Sequence, residues 1–173
     1  MRGRPQRTGE EALGPICVEE VRRSNVGGEI YWYFVEYNAD IDEALKVLRE
    51  REFNAGRYNP VVKFLKFPIG PHSPRPGPSH RSIRDVLENS TADGTRSILD
   101  IQGISKEPDD YCAAPVDDAE LEALFGTKRP THEMVETMNF LDDLYIERGQ
   151  CRYFAIYKND TPIELLFVGF SFD

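Results

Sequence analysis

The strongest apolar pattern lies at the C-terminal end of the chain. Residues 151–157 (CRYFAIY) and 163–172 (IELLFVGFSF) are rich in aromatic and aliphatic residues and flank the polar sequence KNDTP. Two such runs joined by a short turn predict a β-hairpin. The second run is apolar on both faces, so we place it in the interior of a sheet.

A strand followed by a helix is predicted near the start of the apolar pattern. Residues 29–37 (EIYWYFVEY) carry aromatic and β-branched side chains on both faces, which is typical of a strand covered on two sides. Asp40 then caps a helix, with Glu43 three residues later, and Gly56 ends it. The apolar face of this helix comprises Ile41, Ala44, Leu45 and Leu48.

The middle of the chain is less regular. Residues 60–78 hold six prolines. Within this region we expect a short strand or an apolar clip at 61–67, followed by a long loop in the sequence PIGPHSPRPGPS at 68–79. Asp93-Gly94 predicts a turn, and residues 106–116 are expected to be irregular. The further predicted elements are a helix at 83–88 capped by Ser82, a strand at 95–101, a helix from Asp117 to Gly126 and a longer helix from Thr131 to Gly149.

This order of elements favours an α+β fold, with helices packed on a mainly antiparallel sheet that ends in the C-terminal hairpin. Residues 1–28 lack sustained apolar periodicity and contain several glycines and prolines, so we expect a disordered leader there. Residues 29–173 are then one domain, which suits a chain of this length.

The charge of the chain indicates which class of partner it could bind. The formal net charge is -9, and the stretch 100–147 holds thirteen acidic and three basic residues. A surplus of carboxylates argues against nucleic acid and favours a basic protein partner. No apolar run is long enough to span a membrane, and no signal peptide is evident. The three cysteines are widely spaced, so we expect a cytoplasmic protein without a disulfide framework.

Basic residues on both sides of the proline-rich loop are the candidate chemistry. Arginines at the end of one helix and basic residues at the start of the next would meet an anion if the two helix ends lay side by side. The alternative is a purely structural role, in which the arginines complement the helix dipole and pair with neighbouring glutamates. The candidate anion-binding residues are Arg51, Arg57, Tyr58, His80, Arg81 and Arg84.

Other chemistry finds little support. The three histidines have no metal-ligand spacing, and no phosphate-binding or dinucleotide-binding glycine motif is present, so we predict neither a metal nor a cofactor. We identify no catalytic residue; Cys112 is the more reactive thiol candidate, without a local signature for a nucleophile. The acidic cluster at 107–118 is expected to be a solvated face.

Three stretches together, LREREFNAGRYNP at 48–60, ADGTRSILDI at 92–101 and VGFSFD at 168–173, resemble an uncharacterised family of small bacterial proteins. The resemblance covers roughly residues 29–173. It implies a bacterial cytoplasmic protein and assigns no activity or functional residue.

Two functions remain open from the sequence. The first is a protein-binding or regulatory module without catalysis, acting through its acidic helices on a basic partner. The alternative is an enzyme or sensor for a phosphorylated or otherwise anionic small molecule.

Overall fold

The computed structural model of the chain describes residues 28–90 and 94–172. Its strands are β1 (Ile30–Glu36), β2 (Gly103–Ile104), β3 (Cys112–Pro115), β4 (Cys151–Lys158) and β5 (Thr161–Phe170). Its helices are α1 (Ile41–Ala55), α2 (Ile83–Asn89), α3 (Asp118–Phe125), α4 (His132–Glu136) and α5 (Phe140–Asp143), with a 3-10 helix at Ile98–Asp100. The predicted leader, apart from Gly28, and Asp93 of the predicted turn lie outside the described residues.

The strands form one mixed sheet in the order β1-β5-β4-β3-β2. β5 pairs antiparallel with both β1 and β4, whereas β4, β3 and β2 pair in parallel. The fold is therefore α+β, and the hairpin and the interior position of β5 are confirmed. The prediction of a mainly antiparallel sheet is corrected: the connection from β3 to β4 crosses over through α3, α4 and α5, which allows a parallel pair.

Successive side chains of β1 and β5 point to opposite faces of the sheet. On one face Tyr31 and Tyr33 pack with Leu165, Phe167 and α1. On the other face a second cluster joins β1, β4 and β5 to the segment containing α3, α4 and α5. Its fully enclosed members include Val135, Phe154, Ile156, Leu166 and Val168. Helical segments thus cover both faces, while α2 packs on the 3-10 helix through Val86 and Leu99 instead of on the sheet.

The helix ends predicted from capping residues are found at the predicted positions. The Asp40 carboxylate accepts a hydrogen bond from the Glu43 amide at the start of α1. Gly56 ends α1 in the left-handed conformation, with φ of 71°, and a Cβ there would also collide with the carbonyl of Gly77. Asp117 and Gly126 begin and end α3 in the same way.

Two local predictions in the middle of the chain are wrong. Residues 95–101 contain the 3-10 helix Ile98–Asp100 instead of a strand, because the Thr95 amide donates to both Asp100 carboxylate oxygens and the Ser97 hydroxyl accepts from the Leu99 amide. Such local side-chain bonds compete with a sheet ladder. Residues 106–116 are not wholly irregular, because they contain β3, whose Ala113 and Ala114 are fully buried.

The long helix predicted from Thr131 to Gly149 is also wrong. Thr131 caps α4 as expected, but α4 ends after five residues and α5 spans four. The Thr137 hydroxyl donates to the Met134 carbonyl, and the Asn139 amide donates to the Asp143 carboxylate. These bonds satisfy the backbone locally and interrupt the helical ladder. In the described part of the chain, no helix is both long and apolar enough to cross a membrane.

Candidate functional site

A cavity of about 640 Å³ lies between β1 and the short helices α4 and α5. Its apolar lining residues are Ile30, Trp32, Phe34, Val135, Met138 and Phe140. Trp32, Phe34 and Ile30 alternate along β1, so the strand presents all three side chains to the same face. A volume of this size is typical of a pocket that takes a ligand or an anchoring side chain.

The cavity lies beside the break between α4 and α5, and Met138 and Asn139 of this break line it. The turn at Thr137–Asn139 separates the two helices. The Phe140 ring lies 5.3 Å from the Trp32 ring at the α5 side. Pro68 completes the lining, next to Phe67, whose ring lies 5.2 Å from that of Trp32. The predicted short strand at 61–67 is absent from the structure, and Phe67 provides the apolar clip that was the other expectation.

One end of the cavity is polar and acidic. His132 Nδ1 lies 2.8 Å from Glu164 Oε2, and His132 Nε2 lies 3.5 Å from Glu136 Oε1. The imidazole ring also packs on Phe34, at 4.6 Å between ring centroids. The His132 ring therefore lies between two carboxylates beside the apolar cavity.

A second glutamate pair adds to this charge. Glu36 is the register partner of Glu164 across the β1–β5 pair. Opposed residues on neighbouring strands place their side chains on the same face, and like charges there repel. Glu136 and Glu164 therefore lie beside His132, and Glu36 starts from the same face of the sheet opposite Glu164. This concentration of carboxylates favours a cation.

The inner members of the predicted anion site form an ion-pair network of their own. Arg57 donates from Nε and Nη2 to the two carboxylate oxygens of Glu52, at 2.6 and 2.8 Å. Arg51 Nε donates to Glu52 Oε1 at 2.8 Å. Arg57 is 1 % exposed and Glu52 fully buried, and their hydrogen bonds raise the pKa of the Arg57 guanidinium. Arg57 Nη1, also buried, has no hydrogen-bond partner among the described residues.

Tyr58 links this network to the outer members. The Tyr58 hydroxyl lies 3.1 Å from His80 Nδ1 and accepts a hydrogen bond from the Ser79 amide. Its ring is completely buried and stacks on Phe53. The tyrosine therefore ties the proline-rich loop to the end of α1.

Arg81 and Arg84 lie on the exposed surface at the start of α2. The Arg81 amide donates to the Asp85 carboxylate, and Arg84 Nε donates to Glu88 Oε1 at 2.7 Å. The structure thus divides the six candidates into Arg57 and the more exposed Arg51, both bound to Glu52, and the exposed Arg81 and Arg84 at the start of α2, with Tyr58 and His80 between the two groups. The anion site itself stays a prediction.

The cysteines and the possible metal ligands offer less. Burial and the nearby Asp109 and Asp110 carboxylates raise the pKa of the Cys112 thiol, and burial raises that of Cys151. A raised pKa disfavours the reactive thiolate. Within residues 28–90 and 94–172, no three histidine, cysteine or carboxylate side chains are arranged to hold a metal ion.

The cavity and its histidine were missed by sequence reasoning. Residues His132 and Glu136 are one helical turn apart, and this spacing was the available signal. Glu164 is distant in sequence, so its contact with His132 depends on how α4 docks beside the hairpin.

Comparisons of the chain with protein-family models, with curated proteins and with solved structures find no match. The resemblance to a bacterial family therefore stays a prediction, and the function is argued from the geometry alone.

Proposed function

We propose that the protein is a cytoplasmic binding module without catalysis, which recognises a basic protein partner through the cavity beside β1. An apolar side chain of the partner enters the cavity, and a lysine or arginine next to it pairs with the carboxylates at the rim. The observation that carries the proposal is the apolar cavity lined at His132 by Glu136, with Glu164 bonded to that histidine and Glu36 opposite Glu164 on the neighbouring strand.

In protein interfaces, apolar contacts and charged contacts commonly contribute in different ways. Burial of a large apolar side chain in a pocket supplies affinity, and complementary charge at the rim supplies specificity and rapid association. The stretch 100–147, which includes α3, α4 and α5, carries thirteen acidic and three basic residues. This surplus extends the negative potential beyond the rim and attracts a basic partner from a distance.

The intrinsic tryptophan fluorescence of the protein can report peptide binding directly. Trp32 is the single tryptophan, and it lines the cavity. We expect tryptophan-free peptides that contain leucine and several lysines to change its fluorescence saturably. Matched peptides with glutamate in place of lysine should not, and raising the ionic strength should weaken the response.

A pair of charge reversals locates the site. Glu136→Lys changes a side chain that is 66 % exposed at the rim, and we expect roughly tenfold weaker binding of the basic peptides. Glu88→Lys changes a side chain that is 59 % exposed on α2, away from the cavity, and should leave affinity within about twofold. An unchanged Trp32 signal with every basic peptide would overturn the proposal.

A further inference from the structure

β1 is an edge strand, paired with β5 on one side only among the described strands. Its two flanking hydrogen bonds fix which backbone groups face β5. The Tyr37 amide donates to the Ile163 carbonyl, and the Ser171 amide donates to the Glu29 carbonyl. Hydrogen-bonded pairs recur at every second residue of an antiparallel ladder. The odd residues of β1 therefore bond to β5, and the backbone groups of Trp32, Phe34 and Glu36 face outward.

The outer edge is covered by side chains instead of by another strand. The Phe67 ring lies 5.2 Å from the rings of both Trp32 and Tyr33, which point to opposite faces. Among the backbone hydrogen bonds of the described residues, none joins the segment around Phe67 to β1. Among the described residues, no backbone hydrogen bond outside the β1–β5 ladder uses the amides and carbonyls of Phe34 and Glu36. Unpaired edge groups of this kind accept an added strand.

The even-numbered residues of β1 point their backbone groups to the outer edge of the sheet, and their side chains lie on the face that holds the cavity. Trp32 and Phe34 line the cavity, and Glu36 follows two residues later on the same face, opposite Glu164. A strand laid along this edge places every second side chain on that face. An apolar residue then lies beside Phe34 while a basic residue two positions away lies beside Glu36.

The charge at this position selects the occupant. Glu36 and Glu164 are opposed across the two strands. In the register just described they form a non-hydrogen-bonded pair, the closer kind. A lysine or arginine added beside Glu36 relieves this repulsion. A second copy of the chain brings its own Glu36 and a net charge of -9 to the same edge, which opposes self-association.

From this geometry we infer that the basic partner binds as an extended strand added to the outer edge of β1, with an apolar and a basic residue two positions apart on the cavity face. The inference rests on the proposed function and names the form in which the partner is recognised. Main-chain bonds to Phe34 and Glu36 contribute affinity, and the cavity and rim read alternate side chains.

The test uses the full chain and the tightest basic peptide from the Trp32 titrations, prepared in two methylated forms. One form carries N-methyl groups on the odd-numbered amides of the peptide and the other on the even-numbered amides. Because alternate amides of a strand point to opposite edges, only one form loses the donors that face β1. We expect one form to bind at least about tenfold more weakly and the other within about twofold, because loss of hydrogen bonds is confined to one edge. Hydrogen exchange at the Phe34 and Glu36 amides should slow on addition of the unmethylated peptide.

Equal losses from the two methylated forms, with no added protection at Phe34 and Glu36, would overturn strand addition while leaving binding in the cavity intact. Protection of those amides in the free protein would overturn it too, because the edge would then be occupied by this chain or, if the protein sediments as a dimer, by a second copy. Absence of any Trp32 response removes the proposed function and this inference together.

Discussion

The two faces of the sheet share β1 but are closed in different ways. On the Tyr31 and Tyr33 face, α1 runs for fifteen residues between complete caps and buries the Glu52–Arg57 ion pair at its end. On the Trp32 and Phe34 face, α4 and α5 span five and four residues and leave the cavity. The long capped helix buries Tyr31 and Tyr33, whereas the two short helices leave Trp32 and Phe34 partly exposed beside the cavity.

The buried ion pair at the end of α1 gives the largest expected effect. Arg57→Ala leaves the Glu52 carboxylate buried with only Arg51 beside it, and we expect the free energy of unfolding to fall by about 3–5 kcal/mol. Arg51→Ala is the matched control, because its side chain is 41 % exposed and also bonds Glu52. It should cost about 1 kcal/mol or less. Urea denaturation measures the free energy of unfolding of both variants. Similar losses for the two variants would mean that burial of Arg57 does not strengthen its pairing with Glu52.

Neighbouring aromatic residues of β1 compare the faces directly. Tyr33 is 1 % exposed on the α1 face, so Tyr33→Ala should cost about 3–5 kcal/mol. Trp32 is only partly buried because it lines the cavity, and Trp32→Ala should cost less although the side chain is larger. Both rings contact Phe67 at the same distance, so this contact does not bias the comparison. An equal or larger loss for Trp32→Ala in denaturation would mean that the cavity face is as tightly closed.

A smaller effect concerns the buried carboxyl of Asp100 beneath α1. Burial raises the pKa of Asp100 in the folded chain above its ordinary value of 3.8, so the folded state binds the proton more tightly than the unfolded chain. Stability from this group is present at low pH and lost as pH rises through the folded pKa. Relative to Asp100→Asn, the wild type should therefore gain stability as pH falls from 7 towards 4. Denaturation at several pH values checks this, and a difference that shrinks over that range would contradict it.

Elements with complete local signals were predictable from the sequence. The caps Asp40 and Asp117, the glycine stops and the apolar hairpin each follow from residues close in sequence, and the structure contains them. The break after α4 was not predicted, because its apolar spacing continues through Met138 while Thr137 and Asn139 bond the backbone locally. Apolar periodicity reports which side faces the core and is insensitive to such bonds.

The candidate site was less predictable than the fold. The arginine motif was visible in sequence, but its pairing with Glu52 uses a partner only five residues away, which the structural interpretation already included. The cavity depends on the space between β1 and residues about one hundred positions later. No local pattern encodes that separation. The one-turn spacing of His132 and Glu136 is visible in the sequence, but the contact of His132 with Glu164 is found only in three dimensions.

The anion site gives the smallest expected effect and tests whether the α1 end is a second binding region. Glu52 already accepts hydrogen bonds from Arg57 Nε, Arg57 Nη2 and Arg51 Nε, and Arg57 Nη1 is buried. Arg84 is paired with Glu88, which leaves the Arg81 side chain and His80 as accessible groups. We therefore expect phosphate and sulfate at fixed ionic strength to change the Tm by less than about 1 °C, since stabilisation by a ligand requires binding to the folded state. A larger shift that Arg81→Ala removes, and that Arg75→Ala in the proline-rich loop retains, would establish the anion site at the start of α2.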